Sequence, residues 1–212
     1  MMHLISLIDW NSESILDLIS CAAKIKKNPE NYSDSLKNKT MLMIFEKPSL
    51  RTRVSFEVGM TQLGSHAIFM ETKDTPLGEK ESIADTAKAS SRYCDIIMAR
   101  LFKQEDIKEL ANNATVPVIN GLTDIFHPCQ ILSDLLTIYE KKKKLSGLKL
   151  CFVGDGNNNI AHSLLLGCSA VEIIQMHVYA MKKELHVMIW MISTAFYVIV
   201  HSIILKLKKV IV

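Results

Sequence analysis

The stretch Phe45-Glu46-Lys47-Pro48-Ser49-Leu50-Arg51-Thr52-Arg53-Val54-Ser55-Phe56-Glu57 runs from a short apolar strand into an amphipathic helix, through a turn that holds hydroxyls and two arginines. A strand feeding a helix is the unit that parallel α/β folds repeat. The junction also has the makings of an anion site. Backbone N–H groups and the positive end of the dipole converge at a helix N-terminus, so an oxyanion there meets donors already aimed at it. Arg51 and Arg53 add forked, permanently charged donors suited to phosphate or carboxylate. The competing reading is a capped surface helix whose arginines pair with Glu46 and Glu57.

Outward from this junction the alternation continues. Toward the N-terminus, Ile15, Leu18, Ile19, Ala22 and Ile25 recur at helical spacing behind the cap candidates Asn11 and Ser12, and Asn28-Pro29 stops the helix. Strand-like runs at 41–45, 66–70, 96–99, 116–119 and 150–153 are separated by helical patterns at 53–63, 82–92, 103–111 and 129–142. Near-continuous apolar strands alternating with helices predict an α/β fold, a parallel sheet with helices on both faces. Residues 141–147 are the expected boundary, because four strands precede them and the next strand opens a fresh glycine-rich turn. The chain is thus divided into a first domain, 1–145, the start of an incomplete second α/β domain, 146–170, and an apolar tail, 171–212. Residues 49–53 follow the first strand, Arg100 ends the third, and His127 follows the fourth through Asn120-Gly121. All lie beyond carboxyl ends of strands, the edge at which open α/β sheets bind ligands.

Composition narrows the class. A chain of 212 residues with 49% hydrophobic content can bury a full core, which excludes disorder as the main state. Five cysteines, irregularly spaced and without a CxxC, together with no N-terminal signal peptide, point to a reducing cytoplasm. A net charge of +3 is too small to argue for nucleic acid, and the lysine run 141–144 reads as a solvated helix end where cations suit the dipole.

The run from Phe45 to Arg53 closely resembles the carbamoyl phosphate signature of the aspartate and ornithine carbamoyltransferases, and Lys47 looks like the ornithine branch. His127-Pro128-Cys129-Gln130 followed by Asp134 resembles the family's second signature in its ornithine-type spelling. Val153-Gly154-Asp155-Gly156-Asn157-Asn158 is similar to the glycine-asparagine turn that opens the family's amino-acid domain. The three stand in family order, and the resemblance covers about residues 1–170. It implies that the amine of ornithine attacks the carbonyl of carbamoyl phosphate through a tetrahedral oxyanion, with phosphate leaving and citrulline formed. Such a reaction needs no covalent nucleophile, no metal and no organic cofactor; it needs positioning and electrostatic stabilisation.

Carried over position by position, the resemblance makes Ser49, Leu50 (through its backbone N–H), Arg51 and Thr52 the phosphate cradle. Arg100 and His127 become donors to the carbonyl oxygen and Gln130 the ligand of the carbamoyl amide, with Thr52, Arg100 and His127 as the catalytic set. Asn158 and Asn159 are both candidates for ornithine, and a homotrimer with sites shared between subunits is implied. Taken singly, Arg100 reads as a surface ion-pair partner and His127 as a turn residue, so the motif order decides. Cys129 reads as packing, because two residues in one turn rarely reach Cys–His catalytic geometry. The spacing G-x-G-x-x-G is absent at Gly154, which argues against a dinucleotide loop.

Two departures from the family pattern stand out. Pro76 occupies a position where the ornithine branch carries a side chain reaching into the neighbouring subunit's site, and proline has no side-chain donor. From 171 to 212 there is no Gly, Pro, Asp or Asn, so the turn chemistry that winds an α/β domain is missing, as are the family's later Ser-Met-Gly and His-Cys-Leu-Pro signatures. Residues 187–205 carry no Asp, Glu, Lys or Arg and are long enough for a membrane span, although Ser193, Thr194, His201 and Ser202 interrupt them. The favoured reading of the tail is a shifted frame or shortened gene. Two functions follow: an ornithine carbamoyltransferase homologue impaired in its second half, with the aspartate type as nearest enzymatic alternative, or a non-catalytic binder of carbamoyl phosphate or phosphate, tethered through 187–205.

Overall fold

The computed structural model of the chain describes residues 2–72, 77–173, 175–180 and 203. Its elements are α1 (Ser12–Lys27), β1 (Thr40–Phe45), α2 (Leu50–Gln62), β2 (His66–Glu71), α3 (Ile83–Ser90), β3 (Ile96–Arg100), α4 (Gln104–Asn113), β4 (Val118–Leu122), α5 (Pro128–Lys142), β5 (Lys149–Gly154), α6 (Asn159–Ala170) and β6 (Gln175–Ala180). Four strands form one parallel sheet in the order β2-β1-β3-β4, which is the expected α/β architecture.

Alternating Cβ directions sort each strand between two cores. Met41, Met43 and Phe45 of β1, with Ile96 and Met98 of β3, pack with α1, α2 and α5, whereas Ile44, Ile97, Ala99 and Val118 pack with helices α3 and α4. Because both faces are covered, consecutive strand positions are apolar, which is why these strands read as runs rather than alternations. Helix α1 begins where Asn11 Oδ1 accepts from the Ser14 N–H at 2.8 Å, and it buries the stripe Ile15, Leu18, Ile19, Ala22 and Ile25.

The outer edge of β4 is occupied. Leu4 bridges Ile119 in parallel, donating its N–H to Val118 O at 2.9 Å and accepting from the Asn120 N–H at 2.8 Å. On its inner side β4 pairs with β3 through one irregularity: Ala99 stands opposite Asn120 and Arg100 opposite Leu122, so Gly121 is the extra residue of a β-bulge. A Cβ at 121 would lie 2.7 Å from Met98 Sδ. The expectation that Asn120-Gly121 lead out of the strand is corrected, because both lie inside β4 and the chain leaves it at Thr123.

Beyond the first sheet, β5 and β6 form a separate parallel pair joined by α6. Regular structure therefore passes residue 170, where the sequence reading ended the second domain, and continues to Ala180. The turn needs no glycine because Glu172 itself adopts the left-handed conformation, at φ 58°. Among the described residues no helix is long and apolar enough to cross a membrane. Pro76 and, Ile203 apart, the run 187–205 lie outside those residues.

Candidate functional site

The turn between β1 and α2 is held from below. Glu46 donates its N–H to Arg100 O at 3.0 Å, and its carboxylate accepts from the Phe102 N–H at 2.8 Å. Ser49 then caps α2: its Oγ accepts from the Thr52 N–H at 3.4 Å and donates to Thr52 Oγ1 at 3.0 Å. The first-turn N–H groups of Leu50 and Arg51 have no intrahelical acceptor by helix geometry, so they remain donors for a ligand. The Leu50 side chain is 78% exposed, and only its backbone can serve such a ligand by hydrogen bonding.

The last residue of β3 closes the other side. Arg100 donates from Nη1 to Thr52 Oγ1 at 3.5 Å, while its buried Nε has no hydrogen-bond partner among the described residues. Burial, and next the field of Arg51, lower the Arg100 pKa, as expected of a half-buried guanidinium with a second one nearby. An anion between them would offset both the burial of Arg100 and the repulsion from Arg51.

His127 occupies the N-cap position of α5 and is buried, with its backbone N–H donated to Ser163 Oγ of α6 at 2.8 Å. Burial first, and Arg100 second, hold its imidazole down to about 3, so the ring is neutral at physiological pH and keeps one N–H donor. One turn further on, Gln130 donates from Nε2 to Asp134 Oδ1 at 3.0 Å. From α6, Asn159 donates from Nδ2 to Thr123 O at 2.6 Å.

Ser49, Leu50, Arg51, Thr52, Arg100, His127, Gln130 and Asn159 line one cavity of about 630 Å³. Val54, Ser55, Val58, Leu122 and Ile160 complete its wall, and among the described residues no carboxylate lines it. The arrangement suits a small anion with a second polar group: arginines, hydroxyls and helix N–H groups line it together with two amides, Gln130 and Asn159, and an apolar wall.

Two sequence expectations are revised. Arg53 is turned away, since its Nε pairs with Glu57 at 3.1 Å and its guanidinium stacks over Phe69 at 3.6 Å; the surface-pair reading holds for this arginine and not for Arg51. The two asparagines also separate. Asn158 caps α6, accepting from the Ile160 and Ala161 N–H groups at 2.9 and 3.0 Å, and only Asn159 lines the cavity. Cys129 is fully buried, donates to Asn120 O at 3.4 Å, and has its thiol pushed up to about 12 by burial, which suits packing and not nucleophilic attack. Ser163 was not foreseen. Only a tertiary contact between α5 and α6 brings it to His127, and no local motif announces it.

Comparison with known proteins fits this geometry. The family model for the aspartate/ornithine carbamoyltransferase carbamoyl-P binding domain matches residues 2–140. Ornithine carbamoyltransferase of Listeria monocytogenes is 52% identical over 170 residues, covering 80% of this chain and 54% of that protein. The structure of ornithine carbamoyltransferase from Pyrococcus furiosus superposes with a TM-score of 0.80 at 46% identity, over 84% of this chain and 57% of that one. The catalytic subunit of M. jannaschii aspartate transcarbamoylase superposes with a TM-score of 0.77 at 34% identity, over 86% and 61%. The chain spans about half the length of the curated relatives it matches.

Proposed function

The chain belongs to the aspartate/ornithine carbamoyltransferase family, and on that premise we propose that its cavity holds carbamoyl phosphate for transfer of the carbamoyl group to ornithine. The observation that carries the reading is the convergence of Ser49, Arg51, Thr52, Arg100, His127 and Gln130 on one space that no carboxylate lines among the described residues. The phosphate sits at the N-terminus of α2, held by Ser49, Thr52, the Arg51 guanidinium and the first-turn N–H groups. Arg100 and the neutral imidazole of His127 donate to the carbonyl oxygen. Gln130 takes the amide, and Asn159 stands on the side of the incoming amine.

In the transfer itself the amine nitrogen bonds to the carbonyl carbon, the bond from that carbon to the phosphate oxygen breaks, and phosphate leaves with the electron pair and takes up the proton that the amine loses. Charge develops on the carbonyl oxygen between Arg100 and His127. Removing either donor should cost about 10²- to 10³-fold in turnover, as for other preorganised oxyanion donors. Ornithine is favoured over aspartate by Lys47 and by the 52% identity to an ornithine enzyme. A homotrimer and a cytoplasmic location come with the family resemblance as part of the same proposal; light scattering on the purified chain tests the first.

On the acceptor side the described residues supply Asn159, so binding is expected with little citrulline formation by these 212 residues. Titration calorimetry with carbamoyl phosphate tests the cradle. Arg51→Ala should bind at least about tenfold more weakly, the value of a charge-assisted hydrogen bond. Equal binding by both proteins would refute the assignment. Citrulline and carbamoyl-aspartate assays run side by side decide between the two acceptors, and activity with aspartate alone would reverse the choice of ornithine.

A further inference from the structure

Asp134 lies one helical turn beyond Gln130 on α5, and its Oδ1 accepts from Gln130 Nε2 at 3.0 Å. A side-chain amide has an acceptor on one branch and two donors on the other, and its shape alone does not decide which branch points where. Burial raises the Asp134 carboxyl to about 7; above that pH it is a carboxylate, which can only accept, so it takes the nitrogen branch of Gln130. Gln130 lines the cavity, and the group left for it to present there is Oε1, an acceptor.

That acceptor is one of few in its surroundings. Asn159, whose Nδ2 goes to Thr123 O, presents a second acceptor from α6, and the hydroxyls of Ser49 and Thr52 can play either part, but Arg51, Arg100 and the helix N–H groups are donors only. Donors of this kind hold phosphate and carbonyl oxygens but have nothing to offer an NH₂ group, which is itself a donor. Recognition of a carbamoyl nitrogen requires an acceptor, and an amide turned the other way would oppose donor to donor. We propose that Asp134 is a positioning residue, which fixes the Gln130 amide so that the site tells a carbamoyl NH₂ from a methyl group at the same place. The inference rests on the reading of the cavity as a carbamoyl phosphate site.

The test, run at about pH 8.5 where Asp134 is ionised, compares three ligands on the full chain: carbamoyl phosphate, acetyl phosphate, which has CH₃ where the other has NH₂, and inorganic phosphate, which reports on the cradle alone. The wild-type chain should bind carbamoyl phosphate about tenfold tighter than acetyl phosphate, the upper range for one hydrogen bond kept against one lost. In Asp134→Asn, nearly the same shape, the new amide can donate as well as accept, so Gln130 turns over freely. The preference should fall to about twofold or less while phosphate affinity holds, and Asp134→Ala, where water replaces the carboxylate, should do the same. Asp134→Glu restores an obligate acceptor and should recover part of the preference. An intact preference in the Asn and Ala variants overturns the proposal, as does an equal weakening of all three ligands, which marks a merely structural role. A wild-type chain that binds phosphate but shows no preference refutes the role of Gln130 itself, independently of any variant at 134.

Discussion

Replacing His127 with asparagine should change how stability depends on pH, beyond any change in stability itself. The residue is 7% exposed, and burial followed by the field of Arg100 holds its pKa at about 3 against an ordinary 6.5. On acidification the unfolded chain takes up a proton at His127 near pH 6.5, whereas the folded chain waits until about 3. Between those values the unfolded state holds one more proton, so this contribution to stability, whole above 6.5, is lost at about 1.4 kcal/mol per pH unit as pH falls. Asp134 acts in the opposite sense. Burial raises its carboxyl from 3.8 to about 7, so the folded state holds the extra proton, and its contribution, whole below 3.8, is lost as pH rises through 7.

Over the range where both act, the two slopes oppose and largely cancel. His127→Asn leaves the Asp134 slope alone, and its stability relative to wild type should rise by about 2–3 kcal/mol between about pH 6.5 and 4.5. Asp134→Asn should show the reverse trend. Urea unfolding at half-unit pH steps measures both, and other groups titrate alike in each protein and drop out of the difference. A flat difference curve for His127→Asn would refute the buried neutral imidazole on which the donor role depends.

Arg53→Ala should leave carbamoyl phosphate affinity within about twofold, unlike Arg51→Ala, and cost no more than about 1 kcal/mol of stability, because its pair with Glu57 is solvent-exposed and its stacking on Phe69 is modest. Gly121→Ala should cost about 1–3 kcal/mol by urea unfolding, since its Cβ would meet Met98 Sδ at 2.7 Å, and should weaken carbamoyl phosphate binding by shifting Arg100 across the bulge. A thiol reagent at pH 8 should modify exposed Cys151 quickly and buried Cys94 and Cys129 only with unfolding; fast labelling of Cys129 would contradict its packing role.

Features that depend on local pattern were legible in the sequence. The apolar runs of β1 and β3 and the stripe of α1 follow from spacing, and Ser49 as cap follows from its place before a helix. What escaped depends on partners far along the chain. A bulge at Gly121 exists only relative to β3, so a glycine after an asparagine reads as a turn until its neighbour is known. Arg51 and Arg53 are alike in type and separated by one residue; helix phase, together with Phe69 arriving on β2, decides that one faces the cavity and the other does not. Glu172 took a left-handed turn that residue preferences assign to glycine or asparagine, and so hid the strand that follows it.

The Leu4 bridge bears on what the open border of the first sheet offers to another chain. A strand at the border of a sheet presents unpaired N–H and C=O groups, an invitation for another chain to zip on. Here Leu4 takes Val118 O and gives its own carbonyl to Asn120, while His3 Nδ1 accepts the Val118 N–H at 3.2 Å. These few residues act as a selvedge, finishing a border that would otherwise fray into intermolecular pairing. A chain trimmed to begin after Ile5 would keep every residue of the cavity and still be poorly behaved, tending to precipitate through β4 for reasons unrelated to carbamoyl chemistry.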